Sequence, residues 1–186
     1  MRSRGPYRDA VVRGNRIEHA CTVLEDCGAI YLFDRERVGL RSVVADNVVV
    51  GVRGNAEGRE HGVGHWWRDG ESVALYLDDL SDDVTVTGNV LRDYDIGALL
   101  HGTSRVTLAG NRFAGRSSRV HAMLQDDVAV AAGTTMAGNV LRGNRFARTR
   151  GVVYLIEPTG SDGRALARYR ANAYPRQARF ASLPEG

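Results

Sequence analysis

One pair of short phrases, copied along most of the chain, limits what these 186 residues can fold into. The clearest copy lies in Val73–Leu91. It holds two apolar runs, ValAlaLeuTyrLeu and ValThrValThr, each ending in a polar turn, at Asp78-Asp79 and at Gly88-Asn89. The second phrase, an apolar pair followed by x-Gly/Asp-Asn and another apolar pair, recurs as Val11–Ile17, Val43–Val48, Val84–Leu91 and Val106–Phe113. It returns as Met136–Leu141, overlapping Val140–Phe146. ValThrValThrGlyAsn and ValThrLeuAlaGlyAsn are offset by 22 residues, the length of one turn of a solenoid built from short parallel strands. Antiparallel hairpins need two-residue Asn-Gly or Asp-Gly turns. The turns here read Gly-Asn, and the phrases repeat in one orientation.

The reading is therefore all-β: a single-stranded right-handed parallel β-helix of about five to six coils, forming one domain over residues 1–186. The 22 glycines and β-branched strand residues suit it. Asn15, Asn47, Asn89, Asn111 and either Asn139 or Asn144 occupy equivalent turns. There Asn tolerates a left-handed backbone, and its amide can bond its counterpart one coil away. The other phrase reads GlyAlaIleTyrLeu (28–32), ValAlaLeuTyrLeu (73–77), GlyAlaLeuLeuHis (97–101) and GlyValValTyrLeu (151–155). Alternation places Ile30, Leu32, Leu75, Leu77, Val153 and Leu155 inside, with Tyr31, Tyr76 and Tyr154 outside. Those tyrosines serve equally as a sugar-stacking ladder or as a stack that stiffens the sheet. Both ends look like partial coils without caps, as expected of a section of a longer protein.

Interruptions of the repeat point to a site. From turn Asn to the outward residue takes ten residues between Asn89 and Leu99, but 16 between Asn15 and Tyr31 and 29 between Asn47 and Tyr76. Two neighbouring coils thus carry extra residues at one corner, and such insertions gather over one face. The first brings Glu25 and Asp26. The second, a loop over residues 51–72, brings His61, His65, Trp66, Trp67 and Asp69. Trp beside Asp, His and Arg suits sugar rings, although the same loop could fold its Trp pair back onto the coil. The i, i+4 histidines sit in a Gly-rich segment without the Glu of a helical metal motif, so no metal or other cofactor is expected. Asp26 precedes one strand, and Asp78 and Asp79 close its equivalent one coil on. Carboxylates so placed can face each other across a groove, and glycoside hydrolysis needs two, about 5 to 9.5 Å apart.

The net charge of +3 is modest, and all 25 basic residues are Arg, crowded late in the chain. That stripe reads as a solvated face; it would otherwise attract acidic polysaccharide or nucleic acid. No nucleic-acid-binding signature and no membrane-length apolar run is present, so neither nucleic acid nor membrane is an expected partner. The N-terminus lacks the apolar core of a signal peptide. The location is open, extracellular or periplasmic if the chain belongs to a longer secreted protein. Cys21 and Cys27 fit either a disulfide or two free thiols.

AspCysGlyAlaIleTyr (26–31), AspArg (34–35), TyrLeuAspAsp (76–79) with GlyAsnVal (88–90), and LeuHisGlyThrSerArg (100–105), in this order, resemble bacterial right-handed parallel β-helix proteins of the carbohydrate-active kind. These include glycoside hydrolases and polysaccharide lyases with the pectin lyase-like fold. The resemblance covers roughly residues 11–150. It implies a catalytic pair of Asp26 with Asp79 or Asp78. Tyr31, Tyr76, Arg35, His101, Arg105 and His121 would then line the groove, with His61, His65, Trp66 and Trp67 over it. PheAspArg stands where the family pattern usually reads Gly-Arg-Asp. The implied function is cleavage of glycosidic bonds in a polysaccharide or oligosaccharide by a monomer. A polysaccharide lyase and a non-catalytic carbohydrate-binding or structural solenoid are the alternatives.

Overall fold

The computed structural model describes residues 8–23, 26–54, 72–115, 118–159 and 162–182. The chain winds through three short strands at a time. The first round is β1 (Val11–Arg13), β2 (Arg16–Glu18) and β3 (Cys27–Phe33). The next is β4 (Val43–Ala45), β5 (Val48–Val52) and β6 (Ser72–Asp78), followed by β7 (Thr85–Thr87), β8 (Val90–Tyr94) and β9 (Ile96–His101). Then come β10 (Thr107–Ala109), β11 (Arg112–Phe113) and β12 (Val120–Gln125), and after a short helix, α1 (Asp127–Ala131), β13 (Asn139–Arg142), β14 (Arg145–Phe146) and β15 (Val152–Glu157). The last strands are β16 (Ala167–Arg170) and β17 (Phe180–Ser182). Like strands stack on like, giving a six-stranded sheet β1-β4-β7-β10-β13-β16, a five-stranded sheet β2-β5-β8-β11-β14 and a six-stranded sheet β3-β6-β9-β12-β15-β17. Every pairing is parallel. This all-β, three-sheet solenoid is the architecture the repeat calls for.

Because equivalent positions stack, the interior is built of columns. Val12, Val44, Val86, Leu108 and Leu141 form one. Ile17, Val49, Leu91, Phe113 and Phe146 form another. The x-Gly/Asp-Asn phrase marks the corner between the first two sheets. Gly88 is left-handed at φ +67° and Asp46 at φ +55°, and each precedes an inward-turned Asn. Asn47 Oδ1 accepts from both nitrogens of Asn15, and the pattern repeats from Asn47 to Asn89, Asn89 to Asn111, Asn111 to Asn144 and Asn144 to Asn172, at 2.9–3.1 Å. Asn144 is thus the ladder residue, and Asn172 extends it. Asn139 instead satisfies Val106 N and the carbonyls of Thr103 and Leu166.

In the third sheet the sequence phrases run one residue out of true register. Tyr31 pairs with Tyr76 and Tyr76 with Leu99, but the row continues through Met123 to Leu155. Tyr154 aligns with Ala98 and Ala122 and is buried in the main core. Expecting Tyr154 outside and Leu155 inside is therefore corrected. The small side chains at Ala98 and Ala122 leave room that a tyrosine fills, packed with Phe146, Tyr169 and Tyr174. The loop over 51–72 falls largely outside the described residues.

Candidate functional site

The face of the third sheet turned away from the main core brings the candidate residues together, but of the two tyrosines only Tyr31 stands exposed there as expected; Tyr76 is 2% exposed, packed with Val73, Ile96 and Leu99 in a second apolar cluster. Phe33, Asp78, His101, Gln125 and Glu157 form one row, beside the row that starts with Tyr31 and Tyr76. At the upstream corner Cys21 and Cys27 form a disulfide, which settles the alternative left open by the sequence. Asp26 sits directly before Cys27 in a left-handed conformation (φ +47°), which Asp tolerates better than most residues. At the downstream corner Asp79 is left-handed too (φ +33°), so Asp78 and Asp79 leave the strand in different directions.

Each carboxylate then has its own partner. The Tyr76 hydroxyl donates to Asp26 at 3.1 Å. Asp78 accepts a short hydrogen bond from the Tyr31 hydroxyl, and its other oxygen lies 2.7 Å from His101 Nδ1. Arg35 forms an ion pair with Asp79 and stacks its guanidinium over Phe33, 5.2 Å from the ring centroid. The Tyr31 and Tyr76 rings meet edge to face at 5.0 Å, joining the two halves. His101 uses its second nitrogen on Asp127, with Nε2 2.8 Å from Oδ1 at the start of α1.

These contacts split the carboxylates electrostatically. Partial burial, helped by the charges of Asp78 and Asp79, pushes the Asp26 carboxyl above the usual carboxylate range, although the Tyr76 bond and His101 oppose it. Burial acts on Asp78 in the same sense, but the bonds from His101 and Tyr31 outweigh it and hold Asp78 below that range. Burial would lower the His101 pKa; Asp127 and Asp78 override this and raise it to about 9. Both tyrosines are held protonated, first by burial and then by the surrounding carboxylates.

Asp78, Asp79 and His101 offer ligand atoms within 4.8 Å of one another, a set that could hold a metal ion. Metal coordination requires a neutral imidazole nitrogen. Here both ring nitrogens already lie against carboxylates, Nδ1 on Asp78 and Nε2 on Asp127, so an ion bound through His101 would displace one of these contacts.

Asp26, Asp78, Asp79, Tyr31, Tyr76, Arg35 and His101 are thus one cluster. Arg105 lies apart from it, paired with Asp82 and Asp83 where the chain leaves β6. His121 is fully buried rather than groove-facing. Its ring packs near Phe113 and Phe146, with Nδ1 2.6 Å from Tyr94 Oη and Nε2 2.9 Å from the Ala147 carbonyl. Burial lowers its pKa to about 4. Glu25, His61, His65, Trp66, Trp67 and Asp69 lie outside the described residues. Asp127 is the member the sequence reading passed over. A signal existed: GlnAspAsp (125–127) closes β12 as LeuAspAsp (77–79) closes β6.

No family model, curated protein or solved structure matches this chain.

Proposed function

We propose that this is a right-handed parallel β-helix of the carbohydrate-active kind, and that it hydrolyses glycosidic bonds with Asp26 and Asp78. Right-handedness follows from the general rule for parallel strands joined by crossovers within one sheet. The observation that carries the function is the opposed displacement of two neighbouring carboxyl groups, Asp26 upward and Asp78 downward. Such a split assigns acid and base in hydrolytic sites. Asp26, the carboxyl whose pKa is raised by partial burial, donates to the leaving oxygen. Asp78, kept ionised by His101 and Tyr31, attacks the anomeric carbon or activates a water. Asp79 is occupied by Arg35 and serves to orient that guanidinium toward a sugar hydroxyl.

The same ion pairs favour a second reading, a carbohydrate-binding solenoid without catalysis, because Arg35 and His101 neutralise two of the three carboxylates. A reducing-end assay over a panel of neutral and acidic polysaccharides separates the two. With a substrate found, Asp26→Asn and Asp78→Asn each lower kcat by about 100-fold or more, and Asp79→Asn acts mainly on KM. Binding without bond cleavage, unchanged by Asp26→Asn, would establish the second reading.

A further inference from the structure

Charge is distributed unevenly along the solenoid. Residues 1–128 contain sixteen Arg and nineteen acidic residues, whereas residues 129–186 contain nine Arg and three. In the earlier rounds arginines meet carboxylates: Arg13 with Asp46, Arg16 with Glu18, Arg41 with Asp9, Arg105 with Asp82 and Asp83. In the later rounds they meet each other. Parallel register sets Arg112 beside Arg145 on the second sheet and Arg142 beside Arg170 on the first. Successive strands lie about 4.8 Å apart, so like charges are held close without relief. All four residues are exposed, and none forms an ion pair among the described residues.

Two residues after Arg145, where the chain leaves β14, it lines a groove of about 1000 Å³ between residues 147–150 and 177–179. Arg179 is committed there, donating to the carbonyls of Arg150 and Gly151 and so fixing one wall. Arg148 and Arg150, both exposed, line it, and Thr149 and Gln177 add neutral polar groups.

We infer that this groove, with Arg112 and Arg145 leading into it, binds a polysaccharide bearing carboxylate or sulfate groups. Stacked arginines without an ion-pair partner among the described residues repel one another until anions at comparable spacing are laid along them, and the planar guanidinium matches either anion through two parallel hydrogen bonds. A nucleic acid strand fits less well, since the described lining contains no aromatic side chain on which a base would stack. The inference rests on the basic face alone and not on the acid–base pair, which belongs to rounds of chain nearer the N-terminus.

Affinity electrophoresis of the whole chain tests it, through gels containing polygalacturonate, dextran sulfate or neutral dextran, with a single-stranded oligonucleotide as competitor. The expected result is salt-sensitive retardation by an anionic polymer and none by dextran. Arg148→Ser/Arg150→Ser weakens that retardation at least tenfold, while Arg13→Ser/Arg16→Ser leaves it unchanged. Polygalacturonate and dextran sulfate distinguish carboxylate from sulfate as the recognised group. Retardation by dextran, equal loss in the Arg13/Arg16 variant, displacement by the oligonucleotide at lower concentration than by either polymer, or no binding at all would each overturn the inference. The substituted side chains are exposed, and circular dichroism of each variant separates lost binding from lost fold.

Discussion

At the scale of single residues, the ladder turns expose one position that fits its conformation poorly. Ala171 precedes Asn172 as Gly14, Gly88, Gly110 and Gly143 precede their ladder asparagines, and it takes the same left-handed backbone (φ +49°). A Cβ in that region costs about 1–2 kcal/mol, of which glycine's extra unfolded-state freedom takes back a part. Ala171→Gly therefore raises stability by about 0.5–1 kcal/mol, read as a higher urea midpoint at unchanged slope; a lower midpoint would refute the assignment. The same position shows what the sequence made legible. The C-terminal end, which reads as a partial coil, carries Asn172 in its TyrArgAlaAsnAlaTyr stretch (169–174), and the ladder does run on into it. Tyr154 was misread because alternation counted within one strand is blind to the alanines stacked against it in the neighbours. Asp127 was missed because its role comes from the bend into α1, which lets it reach His101 from a different round of the chain.

At the scale of elements, the asparagine ladder and the tyrosine row have different origins in the sequence. The ladder is written as an x-Gly/Asp-Asn phrase, because one left-handed residue and one amide suffice to make the turn. The candidate site has no comparable phrase: its geometry comes from two left-handed aspartates at opposite corners and a disulfide beside one of them. The ladder's cooperativity is open to measurement. Inside it, the Asn111 amide accepts from Asn89 and donates to Val86, Ala109 and Asn144, all buried. Asn111→Ala strands several of those groups away from water and costs about 3 kcal/mol or more. At its end Asn172 is half-buried, and Asn172→Ala costs about 1 kcal/mol. Equal losses at the two positions would show that the ladder does not act through burial.

At the scale of the whole molecule, two histidines of opposite character set how stability varies with pH. His121 is enclosed by Tyr94, Ser118, Phe113 and Phe146, with no carboxylate against it among the described residues, and its pKa falls to about 4. Below about 6.5 the unfolded chain takes up a proton that the folded chain refuses, so stability declines as pH falls from about 6.5 to about 4. His101, between Asp78, Asp79 and Asp127, holds its proton up to about 9. Its contribution is complete below about 6.5 and is lost as pH rises from there through about 9. Each displacement is worth roughly 3 kcal/mol at most. Asp78 and Asp127, both held low, add a further loss only as pH falls through the range below ordinary carboxylates. The expected profile is a dome centred near pH 6.5, with limbs owned by different residues. Urea midpoints between pH 4 and pH 9 test this in two variants. His121→Gln flattens the acid limb and leaves the alkaline one, whereas His101→Gln flattens the alkaline limb and also raises the pH at which Asp78 takes up a proton. Under the proposed chemistry, the acid side of the activity profile moves upward in the His101 variant while the His121 variant keeps it in place. A His101 variant that loses its alkaline stability limb without moving the activity profile would separate the fold's use of this histidine from the site's.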